Sequence, residues 1–561
     1  MGNGRSTLAW LLIAVVGLLT ICPVAMLALG SFSTGLTAFG SFTLAKYAAA
    51  YGDPALYGVV ADTVGFVVGS SLLATVLALF FAYLSTRTDI PLKRLFAIVS
   101  LVPMMIPHLL FAVSWALLLN PSNGMLNLVL KDLFALDHAP FNIYSLPGMI
   151  LVEGLLDMPI AYLIMAPAMA SFDVSLEESS HVFGAGNLQT LARITLPVLR
   201  PAILAAFTLG VVRSLASFAV PSVIGMPGQV PVLATYIYQM IATGFATDYG
   251  KAAAVGMSVL VTSIVLIVVY RRLTAASEKF VTVSGRGYRP AQIALGRARG
   301  PLLAVVAAIS LVMIVLPVLV LLYTSLVPYA MVPSRHAFAM MSLRHWREVL
   351  QDPVSLASLE NSLFLGVAGA TLGVVLSLFV AWVIVRVKTR AAGLLEGLSY
   401  LSFSFPGIVI GVGFMWFFVQ TPLYATLTAL LIGYIATYLP YGIRPLASAF
   451  IQIHTHLEES SRVCGAGTLV TLRRVVAPLL VPGIVSAWIL MASMFVRELS
   501  LSVVLSRPGT EVLAVQILHF ADDGLWGQLS ALGMLMIAIS TTLVVIAAAV
   551  GSRFRALAAQ G

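Results

Sequence analysis

Twelve long, mainly apolar stretches punctuate the chain, at roughly 8–30, 60–85, 95–119, 143–170, 201–222, 250–270, 301–326, 360–385, 396–419, 423–450, 483–505 and 529–550. A helix needs about 20 such residues to cross a hydrocarbon core, so each stretch is a candidate span. They are too long and too uniformly apolar for the alternating strands of an outer-membrane barrel. Only 9% of the 561 residues are charged and 60% are hydrophobic, against roughly a quarter charged in a soluble domain. The expected fold is therefore an all-α polytopic membrane protein with about 12 transmembrane helices. The first stretch follows Arg5 and resembles a secretory signal, but its apolar run of 22 residues, 8–29, exceeds the about 7–15 of a cleaved one. It is read as a first membrane helix.

Basic residues set the orientation, because cytoplasmic segments collect Lys and Arg. With the N-terminus inside, 21 of the 31 basic residues fall on cytoplasmic segments, seven outside and three (Arg213, Arg444, Arg497) within spans. Both termini are expected in the cytoplasm. The net charge of +9 is explained the same way and asks for no nucleic acid. Cys22 and Cys464 are too few for a zinc or iron–sulfur site and read as packing residues.

The chain repeats itself. Glu177-Glu178-Ser179-Ser180 recurs as Glu458-Glu459-Ser460-Ser461, Gly184-Ala185-Gly186 as Gly465-Ala466-Gly467, and Pro197 and Pro201 as Pro478 and Pro482, all 281 residues apart. Upstream, Ala82 pairs with Ala381 and Pro107 with Pro406 at an offset of 299, which places an 18-residue insertion in the first copy, around 120–141. The expected organisation is a first repeat over 1–270, a basic cytoplasmic linker over 271–300 and a second repeat over 301–561. Six spans in each repeat keep the copies parallel, related by a pseudo-two-fold axis along the membrane normal.

Two cytoplasmic segments, 171–200 and 452–481, are too polar to span and too regular for idle loops. In the first, Val174, Leu176 and Val182 alternate with Glu177, Glu178 and His181 as on a short amphipathic helix. Gly184-Ala185-Gly186 then breaks it, and a second helical stretch over 188–195 leads to Pro197. The segments form a two-fold pair of knobs, which asks for a two-fold cytoplasmic partner.

Other residues leave alternatives open. Arg213 and Arg497, within the fifth and eleventh expected spans, either line a pathway for an anionic or anion-complexed solute, with Glu498 beside them, or pair between helices. For Arg497 that partner is Glu498 or an acid such as Asp157. An arginine at membrane depth is costly in either case. Glu153 and Asp157, one helical turn apart, are expected to pack against a basic neighbour, and His108 to be a core histidine. The insertion helix 124–133 lies on the membrane surface or forms a docking platform. No GxxxxGK[ST] phosphate loop occurs, so ATP hydrolysis by this chain is not expected. No cluster of His, Asp or Cys suggests an enzyme.

The two knobs resemble the "EAA" loop of permeases from binding-protein-dependent ABC importers: Glu-Ala-Ala, three residues, Gly, nine residues, then Ile-x-Leu-Pro. The first copy matches as Glu178-Ser179-Ser180, Gly184 and Ile194-Thr195-Leu196-Pro197. The second matches as Glu459-Ser460-Ser461, Gly465 and Val475-Val476-Ala477-Pro478, with Ser replacing both Ala in each copy and Ala477 replacing Leu. The resemblance implies the type I importer permease fold and an inner-membrane, multi-pass location. It implies two copies of an ATP-binding subunit docked on the helices around Glu178 and Glu459, with ATP and Mg on those subunits and no cofactor on this chain. It also implies a periplasmic or lipid-anchored solute-binding protein. The fused two-half format and the stretch 212–227 are similar to the ferric-iron, thiamine and aminoethylphosphonate permease group, related to polyamine permeases; ferric iron is the expected substrate, with aminoethylphosphonate, thiamine, a polyamine or another small polar solute as the alternatives. The competing class is a secondary transporter, which shares the parallel six-plus-six format but needs no cytoplasmic knobs.

Overall fold

The structure is a computed structural model that describes residues 3–34, 41–93, 106–171, 175–242, 248–277, 293–387, 389–402 and 405–558. Among these residues the chain is helical, with two isolated β-bridges and no strand. Among the described residues, nine helices are long and apolar enough to cross a membrane. They account for nine of the twelve expected spans. Of the rest, 423–450 is the 26-residue helix Leu427–Gln452, which carries Pro440 and Pro445 and is less apolar. The third span of the second repeat is split into Arg390–Leu401 and Gly407–Phe418. The described part of the third span in the first repeat is His108–Leu119, beginning at the equivalent proline. Pro107 and Pro406 share the same extended geometry (φ −57°, ψ 134° and 135°) and precede the first helical residue. A proline donates no N–H and disfavours helix in the residue before it, so both copies start a helix there.

The fifth and eleventh spans lie earlier in the chain than hydropathy indicates. They run over Leu191–Ala216 and Arg473–Val496 rather than 201–222 and 483–505. Each starts with a five-residue π turn, Leu191–Thr195 and Leu472–Val476, and Pro197 or Pro478 stands two residues beyond it. Leu311–Val315 bears the same relation to Pro317. The ring of a proline crowds the carbonyl four residues earlier; the wider turn removes that clash and keeps the helix continuous, here with Leu196 N–H donating to Leu191 O.

Contacts divide the chain into two compact units that cut across the repeats. One comprises Met1–Gly52, Ile237–Leu260 and Arg344–Gly561; the other comprises Asp53–Tyr236 and Val261–Leu343. Each therefore holds most of one repeat and the first helix of the other. Their cores are alike. Helices Pro54–Arg87, Leu146–Ala170 and Leu196–Ala216 pack together in one, and Ala370–Arg386, Leu427–Gln452 and Ala477–Val496 in the other. The borrowed first helix packs on the third-span helix of its host. Asn3–Phe32 lies against Gly407–Phe418, and Leu316–Leu326 lies against His108–Leu119, where Ser114 Oγ donates to Pro317 O at 3.1 Å. At the first contact a Cβ on Gly413 would stand 2.2 Å from the Pro23 carbonyl oxygen; only glycine admits this approach.

Candidate functional site

Both knobs have the expected helix–glycine–helix form. Ser175–Val182 ends at Gly184, and Thr455–Val463 ends at Gly465; both glycines have φ +84°. Around the first, Gly184 N–H donates to His181 O (2.9 Å) and Ala185 N–H to Ser180 O (3.1 Å). Ala466 N–H donates to Ser461 O at the same 3.1 Å. This is a left-handed C-terminal cap, which satisfies carbonyls left over at a helix end. The motif serines brace the turn from inside: Ser180 Oγ lies 3.0 Å from Thr190 Oγ1, and Ser461 Oγ 3.0 Å from Thr471 Oγ1. Ser179 Oγ bonds back to Ser175 O. Gly186 and Gly467 keep φ outside the left-handed region and have open space where a Cβ would stand. Pro197 and Pro478 are exposed at the following helix starts.

The two acidic residues of each knob divide their work. Glu177 and Glu458 are buried, whereas Glu178 is half-buried and Glu459 exposed, with His456 Nδ1 3.1 Å from its carboxylate. Glu177 accepts from Thr195 Oγ1 at 2.6 Å and lies 3.9 Å from Arg87 Nε. Glu458 accepts from Arg386 Nε at 2.7 Å, and Arg386 Nη2 donates to Ile453 O at 2.7 Å. Arg87 and Arg386 are 299 residues apart, the upstream offset of the repeat. They escaped the sequence reading because motif and arginine follow different offsets. The end of the 271–300 segment is tied at the same place: Ile293 N–H donates to Arg87 O (2.9 Å) and Leu295 N–H to Asp89 Oδ1 (2.9 Å).

What the knobs present to solvent is apolar. Val182, Phe183 and Val463 are 84%, 90% and 88% exposed, and Cys464 is exposed beside Val463. Cys464 is thus a tip residue, not the packing residue expected from its apolar context.

Within the membrane-spanning part, Arg213 Nε donates to Asp157 Oδ1 at 2.8 Å, and Ser217 Oγ to Glu153 Oε2 at 2.9 Å. Interhelical pairing of the acids with basic and polar neighbours is what the structure contains, and Asp157 pairs with Arg213 rather than Arg497. Arg497 lies just past the end of helix Ala477–Val496, with Nη2 3.4 Å from Met494 Sδ. Glu498 is buried and accepts from Leu501 N–H and Ser502 N–H, each at 3.0 Å. His108 is exposed at the first position of its helix rather than in the core, because Pro107 fixes the helix start there. In the insertion, helix Met125–Phe134 is pinned by buried Asn127, whose Nδ2 donates to Leu119 O, Asn120 O and Phe141 O at 2.8–3.0 Å.

A family model described as "binding-protein-dependent transport system inner membrane component" matches residues 74–282 and 373–556, one region in each repeat. The ferric transport system permease protein FbpB of Actinobacillus pleuropneumoniae is 28% identical over 84% of this chain and 68% of its own length. The Fe(3+)-transport system permease protein FbpB 2 of Haemophilus influenzae is 22% identical over 94% of this chain and 96% of its own. The spermidine/putrescine transport system permease protein PotC of Haemophilus influenzae is 24% identical over 36% of this chain and 79% of its own.

Proposed function

The chain belongs to the family of binding-protein-dependent transport system inner membrane components, and on that premise we propose how it couples transport to ATP. It is the permease of an ABC importer, a multi-pass inner-membrane protein that works with a solute-binding partner. The two knobs dock on two copies of an ATP-binding subunit, which hold ATP and Mg and carry out the hydrolysis. This chain supplies the translocation path, and both its termini face the cytoplasm.

The observation that carries the reading is the matched pair of glycine turns at φ +84° with Phe183 and Val463 projecting from their tips. Large apolar side chains held almost fully in solvent by a rigid turn mark a protein contact, and a buried glutamate under each keeps the knob fixed to its membrane helix. The absence of a phosphate loop from the sequence supports hydrolysis on another chain. Ferric iron is the substrate best supported, by the names of the relatives that cover most of the chain.

The test is co-expression with the cognate ATPase and purification of the assembly. The expected result is two ATPase copies per permease, no ATP hydrolysis by the permease alone, and loss of assembly in a Phe183→Glu, Val463→Glu variant that still inserts in the membrane. Hydrolysis by the isolated chain, or intact assembly of that variant, would contradict the proposal.

A further inference from the structure

The helices that follow the two knobs break at equivalent places. The first ends at Ala216, Ser217 is extended (φ −69°, ψ 133°), and the short helical segment Pro221–Gly225 follows. The second ends at Val496, and Ser502–Leu505 follows. Ser217 and Glu498 occupy equivalent positions, 281 residues apart. A helix end leaves peptide groups without intrahelical partners, and hydrocarbon makes leaving them bare costly. Each break therefore needs polar groups brought to it.

The two units place polar side chains at these breaks with exchanged residues, and in the second Glu498 also accepts from the peptide N–H groups of Leu501 and Ser502. In one, Glu153 accepts from Ser217 Oγ (2.9 Å), and Asp157 accepts from Arg213 Nε (2.8 Å) and Ser214 Oγ (3.3 Å). In the other, Tyr434 and Tyr438 stand where Glu153 and Asp157 would be, and the carboxylate has moved into the break as Glu498. Glu498 accepts from Ser502 Oγ (2.7 Å), and that hydroxyl lies 2.6 Å from the Tyr434 hydroxyl. The third helix of each core closes the node: Ser70 Oγ donates to Ser214 Oγ at 3.3 Å. The corresponding residues are Gly369 and Phe495, and a Cβ on Gly369 would stand 2.6 Å from the Phe495 ring.

We propose that Asp157 and Glu498 are positioning residues for transport. Asp157 fastens the helix end at its break directly to the helix that precedes the knob, and Glu498 does so through Ser502, whose hydroxyl meets Tyr434, so that a displacement at Gly184 or Gly465 carries the break with it. The helix Leu191–Ala216 has 26 residues, about 39 Å at 1.5 Å per residue, with the knob at one end and the node at the other. Two helices joined at both ends move as one body. Apolar contact alone is non-directional and lets one slide on the other; an ion pair and short hydrogen bonds hold rotation and register.

This inference rests on the coupling role proposed above, and one experiment separates the two. In a Cys22→Ala background, spin labels at Cys464 and Phe183→Cys report the knobs; in a Cys22→Ala, Cys464→Ser background, labels at Ala219→Cys and Ser500→Cys report the breaks. Distances are measured by pulsed electron resonance in the transporter assembled with its ATPase, without nucleotide and with ATP trapped by a hydrolysis-defective ATPase. Both distances are expected to change in the unmodified node. In Asp157→Asn and Glu498→Gln the knob change remains and the break change falls at least two-fold, and the exchange Asp157→Arg, Arg213→Asp restores it. If Asp157→Asn does not assemble, Ser214→Ala carries the test, because it removes one of the bonds to Asp157 and leaves the ion pair with Arg213. An unaltered break change in the node variants overturns the positioning role; a wild-type transporter whose knobs do not move overturns the coupling role as well.

Discussion

Arg386 Nε stands 2.7 Å from Glu458 Oε1, whereas its counterpart Arg87 stands 3.9 Å from Glu177 Oε2. The difference has a local cause. Thr195 donates to Glu177 at 2.6 Å, and the residue equivalent to Thr195 is Val476, which has nothing to donate. The second knob therefore relies on its ion pair and the first shares the load with a hydroxyl. Removing one member of a buried pair costs about 3–5 kcal/mol; losing one hydrogen bond to a charged group costs about 1.5–3 kcal/mol. Glu458→Gln is expected to lower the thermal stability of the purified chain more than Glu177→Gln, and Thr195→Val to have a measurable cost where Val476→Ala has only a packing one. Equal shifts for the two glutamine variants would contradict this division.

Gly184 and Gly465 separate backbone strain from steric fit. A Cβ at either would meet nothing within 4 Å, so the cost of a side chain comes from φ +84° alone, about 1–2 kcal/mol for an ordinary residue and more for a branched one. Gly184→Val and Gly465→Val are expected to insert normally and lose ATPase docking, because the knob reorients. Gly186→Val and Gly467→Val keep the turn, so any docking they lose reports contact with the partner. Pull-down of the ATPase by the four variants, with circular dichroism to check helicity, distinguishes the two effects; full docking by Gly184→Val would rule out the turn as its determinant.

The knobs were legible in the sequence because both copies carry the whole device within 21 contiguous residues at one offset, from Glu177 to Pro197 and Glu458 to Pro478. Their anchors were not, since Arg87 and Arg386 reach them from 90 and 72 residues upstream. Noticing that these arginines share the 299-residue offset of Ala82 and Ala381 was the available signal. The node was illegible for another reason. Tyr434 and Tyr438 replace Glu153 and Asp157, so the repeat keeps the geometry while exchanging the chemistry. Hydropathy also misplaced the fifth and eleventh spans, because it does not register that a π turn lets a helix run through Pro197 or Pro478.

Close packing of the borrowed first helix gives a third prediction. Gly413 faces the Pro23 carbonyl oxygen at a distance that leaves no room for a methyl group, and Gly30 faces the Trp416 ring in the same way, with 2.5 Å to a built Cβ. The Pro23 contact is with backbone, which cannot swing aside, whereas Trp416 is a side chain. Gly413→Ala is therefore expected to destabilise more than Gly30→Ala, at the upper end of the about 1–3 kcal/mol typical of overpacking. Thermal unfolding of the two variants in one detergent checks the order, and a larger loss for Gly30→Ala would mean the helix yields at Pro23.

The proposed orientation can be tested with a thiol the chain already has. Cys464 is exposed at a knob tip, and Cys22, half-buried in the first helix, is replaced by Ala to leave it alone. An impermeant maleimide is expected to reach Cys464 only from the cytoplasmic side, and only while the ATPase is absent. For the outer side, Asn127 is unsuitable: it is buried and its amide holds three carbonyl oxygens, so a cysteine there would unmake the insertion. Asp132, on the exposed side of helix Met125–Phe134, is the better reporter. In a Cys22→Ala, Cys464→Ser background, Asp132→Cys is expected to react only from outside. The first knob and the insertion are separated by one helix, Leu146–Ala170, so labelling of Phe183→Cys and Asp132→Cys from the same side, each in that background, would mean that this helix does not cross the membrane. Labelling of each from the side opposite to that expected would invert the orientation derived from the basic residues and place the knobs out of reach of any cytoplasmic ATPase.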